Sequence, residues 1–327
     1  MEPYPLVSII VPVYNGRAFL DRFMRMILMQ TYLQIELVIV DDGSEDGSYE
    51  YARSWAARFD EKGCRLRCFR QMHRGQAAAV NCGLREFTGQ YLKWMDCDDL
   101  LEPECVMEEM VFLNDHPECG FVICDSRYVN EELETIRIFG RKTAGAEDRY
   151  FRDILCGTHN YSLGSGTILV SREKLQKVIP DMQIIESAEG QNYQLMLPLT
   201  YHYQCGYLHR PLFIRTVRKD SHSRKERTYA EQKERWRSFI ALMKETIRRM
   251  NIAEEEEAAG LIEQRFGHLL YGLAYDHQDM EEAEYWRTCL KSSGSFSRKE
   301  EVKWFIMRHP LLYRFHQSRR GRTNAAG

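Results

Sequence analysis

The chain has 327 residues, of which 44% are hydrophobic, 28% charged and 12% aromatic, and this composition excludes a disordered or collagen-like protein. Its 45 Lys and Arg against 48 Asp and Glu give a formal net charge of −3, which excludes a chain-wide basic field for holding nucleic acid. No apolar run approaches the roughly 18 to 20 residues that cross a bilayer, and the first residues lack a signal-peptide layout. We therefore expect a cytoplasmic protein whose ten cysteines are free thiols.

Strands and helices are predicted to alternate along the first hundred or so residues. Short apolar runs predict buried strands at 6–14, 36–40 and 91–95, and a further strand is predicted at 66–70. Helical spacing of apolar residues predicts helices at 17–30, 48–59 and 76–87. Strands and helices in this order form right-handed βαβ units. The sequence therefore predicts an α/β fold with a mostly parallel sheet covered by helices on both faces.

The pattern changes after about residue 120. Short strands at 121–124, 167–170 and 207–213 are predicted to form the acceptor side of the same domain. From Tyr229 onward apolar residues recur at three- and four-residue spacing, which predicts packed helices, and the acidic run Glu254–Glu257 is typical of a helix start. We expect one domain over residues 1–225 and a helical carboxyl-terminal region over 226–327.

Polar side chains follow three of the predicted strands at the point where each strand ends. They are Tyr14-Asn15, Asp41-Asp42 and Asp96-Cys97-Asp98. Ligands of parallel α/β sheets bind beyond the carboxyl ends of the strands. Carboxylates crowded there repel each other unless a cation or a basic ligand is present, so the pattern predicts a divalent ion.

Four motifs in this order resemble the family 2 glycosyltransferases. They are Val7–Asn15, Gln30–Asp46, Gly75–Gly83 and Gly89–Asp99, and they match the family in order and spacing over about 95 residues. The resemblance implies a GT-A fold, a nucleotide-sugar donor that is most often UDP-linked, a Mn²⁺ or Mg²⁺ ion, and inversion at the anomeric carbon. It also implies a glycan or lipid-linked acceptor, in the building of bacterial cell-surface polysaccharide.

The same resemblance implies roles for individual residues. Asp98 matches the metal ligand, and Asp96 matches the position near the ribose or the ion. Asp41 and Asp42 match the acids that recognise the base and ribose. The other implied donor-binding residues are Pro12, Tyr14, Asn15, Arg74, Gly75 and Asn81. His222 lies in a basic segment that resembles the late loop closing over the diphosphate, and it is a candidate both for donor binding and for the metal.

Each of these assignments has a structural alternative. Asp98 and Asp99 would also suit the N-cap of a helix starting near Pro103, and a tight turn through Gly43 explains part of the Asp41-Asp42 motif. Gly75 and Asn81 would suit helix capping. The basic segment around His222 would suit a solvated loop.

The chain departs from the family at the general base. Family members commonly carry a Glu-Asp pair at the start of a helix behind the acceptor, whereas the best match here is Gln191-Asn192. Amides cannot accept the proton of an attacking hydroxyl. Glu189 and, in reserve, Glu186 are the nearest acids that would serve as the catalytic residue, with helix capping as the alternative for Glu189.

Two other functions fit parts of the sequence. A nucleotide-sugar-binding protein without transferase activity would explain the amide pair. A sugar nucleotidyltransferase would share the α/β core, but it needs a glycine-rich, basic triphosphate loop near the amino terminus, and Tyr14–Arg17 is a poor one.

The carboxyl-terminal segment is basic and rich in large apolar residues. Arg298–Arg322 contains eight Lys and Arg against two Glu, interleaved with aromatic and aliphatic side chains. This pattern predicts a contact with an anionic membrane surface or with a partner, at the inner face of the cell membrane in the first case. The alternative is a helix packed on the domain.

Overall fold

The computed structural model describes residues 4–140, 150–158, 164–218 and 226–316. Its strands are β1 (Val7–Val13), β2 (Ile35–Asp41), β3 (Arg65–Arg70), β4 (Tyr91–Trp94), β5 (Leu100–Leu101), β6 (Cys119–Val129), β7 (Thr135–Phe139), β8 (Ile168–Ser171) and β9 (Gln204–Thr216). Its helices are α1 (Arg17–Leu28), α2 (Ser48–Arg53), α3 (Ala56–Glu61), α4 (Gln76–Glu86), α5 (Cys105–Asp115), α6 (Tyr150–Cys156), α7 (Arg172–Val178), α8 (Gln191–His202), α9 (Tyr229–Met250), α10 (Glu255–His277), α11 (Met280–Ser292) and α12 (Arg298–Met307). Residues 310–316 are also helical.

The described residues form two compact units. Unit 1 comprises residues 4–154 and 158–218, and unit 2 comprises residues 155–157 and 226–316. The strands named above all belong to unit 1, whereas α9 to α12 belong to unit 2.

The strands of unit 1 form one sheet in the order β3-β2-β1-β4-β8-β6-β9-β5, with β7 paired to β6. The pairs β1-β2, β1-β4 and β2-β3 are parallel, which confirms the predicted βαβ alternation. Beyond β4 the sheet is mixed, because β8 runs antiparallel to both β4 and β6, while β6 and β9 are parallel. The later strands therefore extend the sheet of the first four strands.

The central strands are apolar because helices cover both of their faces. Every residue of β2 is buried, and in β1 only Pro12 is partly exposed. On one face α1 buries Leu20, Phe23 and Ile27. On the other, α4 lies so close to β1 that a Cβ at Gly83 would collide with the side chain of Ile10.

The predicted helix over 48–59 is in fact two short helices, α2 and α3, so that prediction was wrong in its extent. The hydroxyl of Ser54 donates a hydrogen bond to the carbonyl of Tyr51 at 2.7 Å, just where α2 ends. Serine side chains compete with the helical backbone in this way. The buried Trp55 lies at the break between the two helices.

Unit 2 is built from capped amphipathic helices. Thr228 and Glu231 form a capping box at the start of α9, and α10 begins within the acidic run, as the sequence predicted. The core of this unit includes Leu270, Tyr271, Ala274, Tyr275, Ala283, Trp286, Leu290, Met307 and Tyr313. In the described ranges, no helix combines the length and the apolar character needed to cross a bilayer.

Candidate active site

The loop after β1 is tied to the loop after β2 at the carboxyl edge of the sheet. Asn15 has a φ of 49°, its backbone N–H donates to Ser44 Oγ at 2.9 Å, and its side-chain oxygen accepts from the Glu45 N–H at 3.0 Å. The exposed Tyr14 ring stacks on the His73 imidazole with centroids 4.0 Å apart. The loops after β1 and β3 thus present a flat aromatic surface beside the ends of the strands.

The buried carboxylate of Asp42 organises the loop before α4. Its Oδ1 accepts from the Arg74 N–H at 3.0 Å and from Gln71 Nε2 at 2.7 Å. Its Oδ2 accepts from the Gly75 N–H at 2.7 Å and lies 2.8 Å from His73 Nδ1. Gly75 is the N-cap residue of α4 with a φ of 92°, in agreement with the helix-capping alternative. Asp42 therefore holds residues 71–75 in one conformation.

The carboxylate of Asp41 is fully buried and only partly satisfied. Its Oδ1 accepts from the Ser44 N–H at 3.1 Å, on a turn where Gly43 has a φ of 78°, and it lies 3.4 Å from Arg70 Nε. Its Oδ2 has no hydrogen-bond partner in the part of the chain that the structure describes. A buried carboxylate oxygen without a donor is unfavourable, so this atom marks a place for a group that the folded chain does not supply.

Three carboxylates converge just after β4, and we call Asp96, Asp98 and Asp99 the carboxylate cluster. Each offers an oxygen within 4.8 Å of the others. Asp98 accepts from Arg218 at 2.7 Å, and Asp99 accepts from the Thr216 N–H at 3.1 Å, so both are held by the end of β9. Neither caps α5, whose N-cap residue is Glu104, and the N-cap alternative for these two aspartates was wrong.

Asp96 is fixed by two neutral donors. Its Oδ1 accepts from Gln76 Nε2 at 2.7 Å, and its Oδ2 accepts from the Ser165 hydroxyl at 3.1 Å. Burial, followed by the negative charge of Asp98, raises the pKa of Asp96. Burial, followed by the charges of Asp98 and Asp96, raises the pKa of Asp99 well above its ordinary value.

The carboxylate cluster suits a hard divalent cation. Mg²⁺ and Mn²⁺ prefer carboxylate oxygens, and a cation would relieve the repulsion that raises these pKa values. A second close group, Cys105, Glu109 and Cys124, does not suit one. It is buried, and Lys93 Nζ lies 2.8 Å from Glu109 Oε1, so this group already contains its positive charge.

A cavity of about 70 Å³ adjoins Asp96. Its lining residues are Pro12, Gln76, Val80, Trp94, Met95, Asp96, Ser165, Gln191 and Asn192. Asn192 Oδ1 accepts from Trp94 Nε1 at 2.9 Å, which anchors the amino-terminal turn of α8 against the end of β4. The amide pair therefore lies beside the carboxylate cluster, on a helix that begins at Gln191 as the sequence predicted.

The two acids proposed as the base lie on the segment that leads into α8. Glu186 forms an ion pair with Arg74, with Nη2 at 2.8 and 2.9 Å from its two oxygens. Glu189 is partly buried, and its carbonyl accepts from the Ser187 hydroxyl at 2.7 Å. The N-cap residue of α8 is Gly190, so Glu189 does not occupy the capping position. Among the described residues, the lining of the 70 Å³ cavity does not include either acid.

Another predicted residue, Asn81, lies apart from these contacts. Asn81 is buried inside α4, where its amide donates to the carbonyl of Ile184 at 2.9 Å and accepts from the Ile184 N–H at 2.8 Å. Asn81 thus ties α4 to the segment before α8 and is not a helix cap. His222 lies outside the described residues.

Sequence reasoning missed the neutral residues that hold Asp96. Ser165 lies between Gly164 and Gly166, a glycine pattern typical of a tight turn, but nothing in the sequence connects it to Asp96. Gln76 directly follows Gly75 of the recognised motif, and this position was the available signal. Their contacts with Asp96 can be identified only in the folded structure, where the sheet places β4 next to β8.

Comparisons of the sequence place the chain among glycosyltransferases. The family described as glycosyl transferase family 2 matches residues 8–179, just over half of the chain. An uncharacterized glycosyltransferase of Rickettsia bellii is 37% identical over 111 residues, covering 34% of this chain and 15% of the relative. EpsJ, an uncharacterized glycosyltransferase of Bacillus subtilis, is 35% identical over 141 residues, covering 41% of this chain and 40% of the relative. In both, the match spans less than half of the relative's length.

Solved structures share the fold. S. aureus TarS in complex with UDP-GlcNAc has a TM-score of 0.58 at 17% identity, over 92% of this chain and 79% of that one. The mannosyltransferase PcManGT from Pyrobaculum calidifontis, in complex with GDP-Man and Mn²⁺, has a TM-score of 0.55 at 17% identity, over 96% of this chain and 87% of that one. The predicted GT-A fold is confirmed.

Proposed function

Because the chain belongs to glycosyl transferase family 2, we propose that it transfers a sugar from a nucleoside-diphosphate donor to a hydroxyl acceptor. We propose a UDP-sugar as the donor, inversion at the anomeric carbon, and a glycan or lipid-linked acceptor used in bacterial cell-surface polysaccharide synthesis. In this proposal residues 1–225 carry the reaction, and residues 226–327 are a helical appendage.

The observation that carries this proposal is the carboxylate cluster beside the cavity at the end of β4. Three like charges within 4.8 Å of each other, two of them with raised pKa values, are unfavourable in the ligand-free protein. A cation bound to a diphosphate would remove this penalty. The arrangement therefore favours a metal-dependent site for a phosphorylated ligand over a purely structural turn.

The residues that would hold Mn²⁺ or Mg²⁺ are Asp98 and, from the resemblance, His222, with Asp96 next to the ion. When bound, such an ion neutralises the charge that develops on the departing diphosphate. Gln76 and Ser165 hold the Asp96 carboxylate from two sides, which keeps it oriented. Arg218, now paired with Asp98, would be released to meet a phosphate oxygen.

We propose that the nucleoside binds against the loops after β1, β2 and β3. Tyr14 and His73 already form a stacked pair, and an aromatic base can extend or replace that stack. A base N–H would give Asp41 Oδ2 the donor that it lacks among the described residues. Pro12 and Asn15 lie at this edge of the sheet. Asp42 holds the loop that contains Arg74 and Gly75, and Asn81 ties α4 to the segment before α8.

For the general base we propose Glu189, with Glu186 in reserve. The attacking hydroxyl must lose a proton as the new bond forms, and a positioned carboxylate typically contributes about 10² to 10⁴ in rate. Gln191 and Asn192, which line the cavity, cannot accept that proton. Glu189 is two residues from Gln191 and precedes the N-cap of α8.

The amide pair also supports a second candidate, a nucleotide-sugar-binding protein without transferase activity. Asn192 is committed to Trp94, so the position of the family's base is held by a structural hydrogen bond. Such a protein would bind the donor and release free sugar and nucleotide only slowly.

A ligand panel followed by a product assay separates these proposals. Thermal unfolding is measured with UDP-, GDP- and dTDP-sugars, each with and without Mn²⁺, because a ligand at 100 times its dissociation constant stabilises the folded state by about 2.7 kcal/mol. We expect stabilisation by a UDP-sugar that requires the metal. The stabilising donor is then incubated with glycan and lipid-linked acceptors.

The outcomes of this panel are distinct. A glycosylated acceptor supports the transferase. Metal-dependent binding with no product from any acceptor supports the binding protein, and the absence of stabilisation by every nucleotide-sugar contradicts both.

A further inference from the structure

The last described segment of unit 2, α12 and the helical residues 310–316, packs on the core of the unit through part of its surface, which includes the partly buried Trp304 and Ile306. Met307 and Tyr313 are buried in the core of this unit. The Tyr313 hydroxyl donates to the carbonyls of Tyr275 and Asp276, both at 2.9 Å, at the end of α10. These contacts fix which side of the segment faces the protein and which side faces solvent.

The opposite side is apolar to an unusual degree for a solvent-facing helix. Large apolar side chains are exposed at Val302 (58%), Phe305 (56%), Leu311 (81%), Leu312 (44%) and Phe315 (58%). Within α12, Val302 and Phe305 are three residues apart, and in the following helical residues Leu311 and Phe315 are four apart, so each pair lies on one helix face. Clustered exposure of this kind marks an interaction surface.

The segment also carries exposed positive charge. Arg298, Lys299, Arg308 and Arg314 are all exposed. The two acids of the segment are already engaged, because Glu300 closes the capping box with Ser297 and contacts His268, and Glu301 pairs with Lys291 and Arg287. The exposed charge of the segment is therefore cationic.

We propose that this C-terminal surface, formed by Val302, Phe305, Leu311, Leu312 and Phe315 with Arg298, Lys299, Arg308 and Arg314, binds an anionic phospholipid bilayer. Interfacial helices bind in this way, with apolar side chains entering the boundary between headgroups and acyl chains while cations meet anionic headgroups. The proposal goes beyond the transferase reaction and does not depend on it.

Charge favours a bilayer over a second copy of the chain. A two-fold interface would place this surface against itself, and its four exposed cations would then face the same four cations. A bilayer that contains anionic lipid instead offers negative charge over the whole area of contact. The apolar side chains and the basic residues are then both satisfied by one partner.

The test uses the full chain and vesicles of phosphatidylcholine, with and without phosphatidylglycerol, in a sedimentation assay. We expect binding to the anionic vesicles that weakens as salt is raised. The triple variant Phe305→Ser, Leu311→Ser, Phe315→Ser should lose at least about tenfold in partitioning. The triple variant Arg298→Gln, Arg308→Gln, Arg314→Gln should lose about a hundredfold, since each basic residue near such a surface contributes about fivefold.

The matched control is Leu269→Ser, Met280→Ser, Tyr285→Ser, which removes three other exposed apolar side chains of the same unit. It should bind vesicles as the parent does. Circular dichroism and thermal unfolding establish that each variant is folded, which is expected because the substituted side chains are exposed.

Three results would overturn the proposal. The first is equal binding of the parent to neutral and anionic vesicles, or to neither. The second is a loss of binding in the control as large as in the apolar variant. The third is a change of oligomeric state in the apolar variant, measured by sedimentation velocity, with vesicle binding unchanged, because the surface would then join copies of the chain.

Discussion

Two groups of charged side chains lie on either side of the end of β4. The first is a buried pair of opposite charges, and the second is a cluster of like charges. Lys93, within the strand, is completely buried, and its ammonium donates to Glu109 Oε1 at 2.8 Å and to the carbonyl of Gly166 at 2.7 Å. The carboxylate cluster begins only three residues later. It gathers three carboxylates, of which Asp98 pairs with Arg218, while the charge of Arg215 acts on Asp96 and Asp99 without offsetting burial and the like charges.

The difference lies in where the compensating charge comes from. Burial opposes the charge on Lys93, but the groups around it, Glu109 foremost, together outweigh burial and raise the pKa of Lys93, so its counter-charge lies within the fold. In the carboxylate cluster, burial and like charges raise the pKa values of Asp96 and Asp99, so the group remains unfavourable without a further cation. A buried charge whose counter-charge lies within the fold indicates a structural role. A cluster of like charges with raised pKa values indicates a ligand-binding site.

The largest effect, a loss of stability, should come from breaking the buried ion pair of Lys93 with Glu109. Lys93→Met leaves Glu109 buried without its partner, and we expect a loss of about 3–5 kcal/mol in the free energy of unfolding. The double variant Lys93→Met, Glu109→Met should recover most of that loss, because no charge then remains buried. Chemical denaturation followed by circular dichroism and tryptophan fluorescence measures both.

The matched control for this pair is Lys177→Met, which breaks the exposed pair of Lys177 with Glu173. Its effect should stay within about 0.5 kcal/mol. A double variant as unstable as Lys93→Met alone would show that packing, and not the buried charge, dominates at this position.

Removing a negative charge from the carboxylate cluster should weaken ligand binding and leave the free energy of unfolding nearly unchanged. In Asp98→Ala and Asp98→Asn we expect metal-dependent donor binding to fall by at least about a hundredfold, because the proposed direct ligand is lost. The melting temperature should stay the same or rise, since one of three like charges is gone. Calorimetric titration with UDP, with and without Mn²⁺, measures the change, and the exposed Asp60→Asn is the control. UDP binding with an unaltered Mn²⁺ dependence in Asp98→Ala would refute the metal assignment.

The same comparison ranks the two candidate bases. Both carboxylate oxygens of Glu186 are engaged by Arg74, so this side chain would have to break an ion pair before it could contact an acceptor hydroxyl. We therefore expect Glu189→Gln to lower turnover by about tenfold to a hundredfold at unchanged donor affinity, and Glu186→Gln to lower it less. Steady-state kinetics and donor titration of both variants provide the measurement. Parental turnover in both would place the base outside this segment.

The smallest effect should come from removing Arg218, a cation that pairs with the carboxylate cluster through Asp98. In Arg218→Met, Mn²⁺ no longer competes with a guanidinium that lies 2.7 Å from Asp98. We expect Mn²⁺ to bind the nucleotide-free protein about tenfold more tightly than it binds the parent. Electron paramagnetic resonance of free Mn²⁺ reports this affinity without any turnover. Weaker or equal Mn²⁺ binding in Arg218→Met would mean that the ion pair does not oppose the cation.

The parallel part of the fold could be predicted because local signals determine it. The runs at β1, β2 and β4 are apolar on both faces, and the residues after them are turn formers or acids. The positions of Asp41, Asp42 and Asp96 at one edge then follow from the geometry of parallel strands. The 3–4 spacing of α9 and α10 is equally local.

Contacts between distant parts of the chain could not be predicted in this way. Lys93 in an apolar strand signals a buried partner, but nothing local identifies Glu109 on α5. Ser165 and Thr216 reach the carboxylate cluster through strands that join the sheet in a non-sequential order. The break in the helix predicted over 48–59 lies at Ser54 and the buried Trp55, and the apolar spacing gave no local sign of it.

The pairing of β5 with β9 has a consequence for how the protein is made. Leu100 and Leu101 pair with Ile214 and Phe213, and Asp99 is held by a backbone N–H that lies 117 positions later in the chain. Contacts of such long sequence separation form late, whereas the parallel strands β1 to β4 are complete early in synthesis. A chain still emerging from the ribosome would therefore have β1 to β4 before the carboxylates are arranged, so the proposed cation site would form only after β9 has been synthesised.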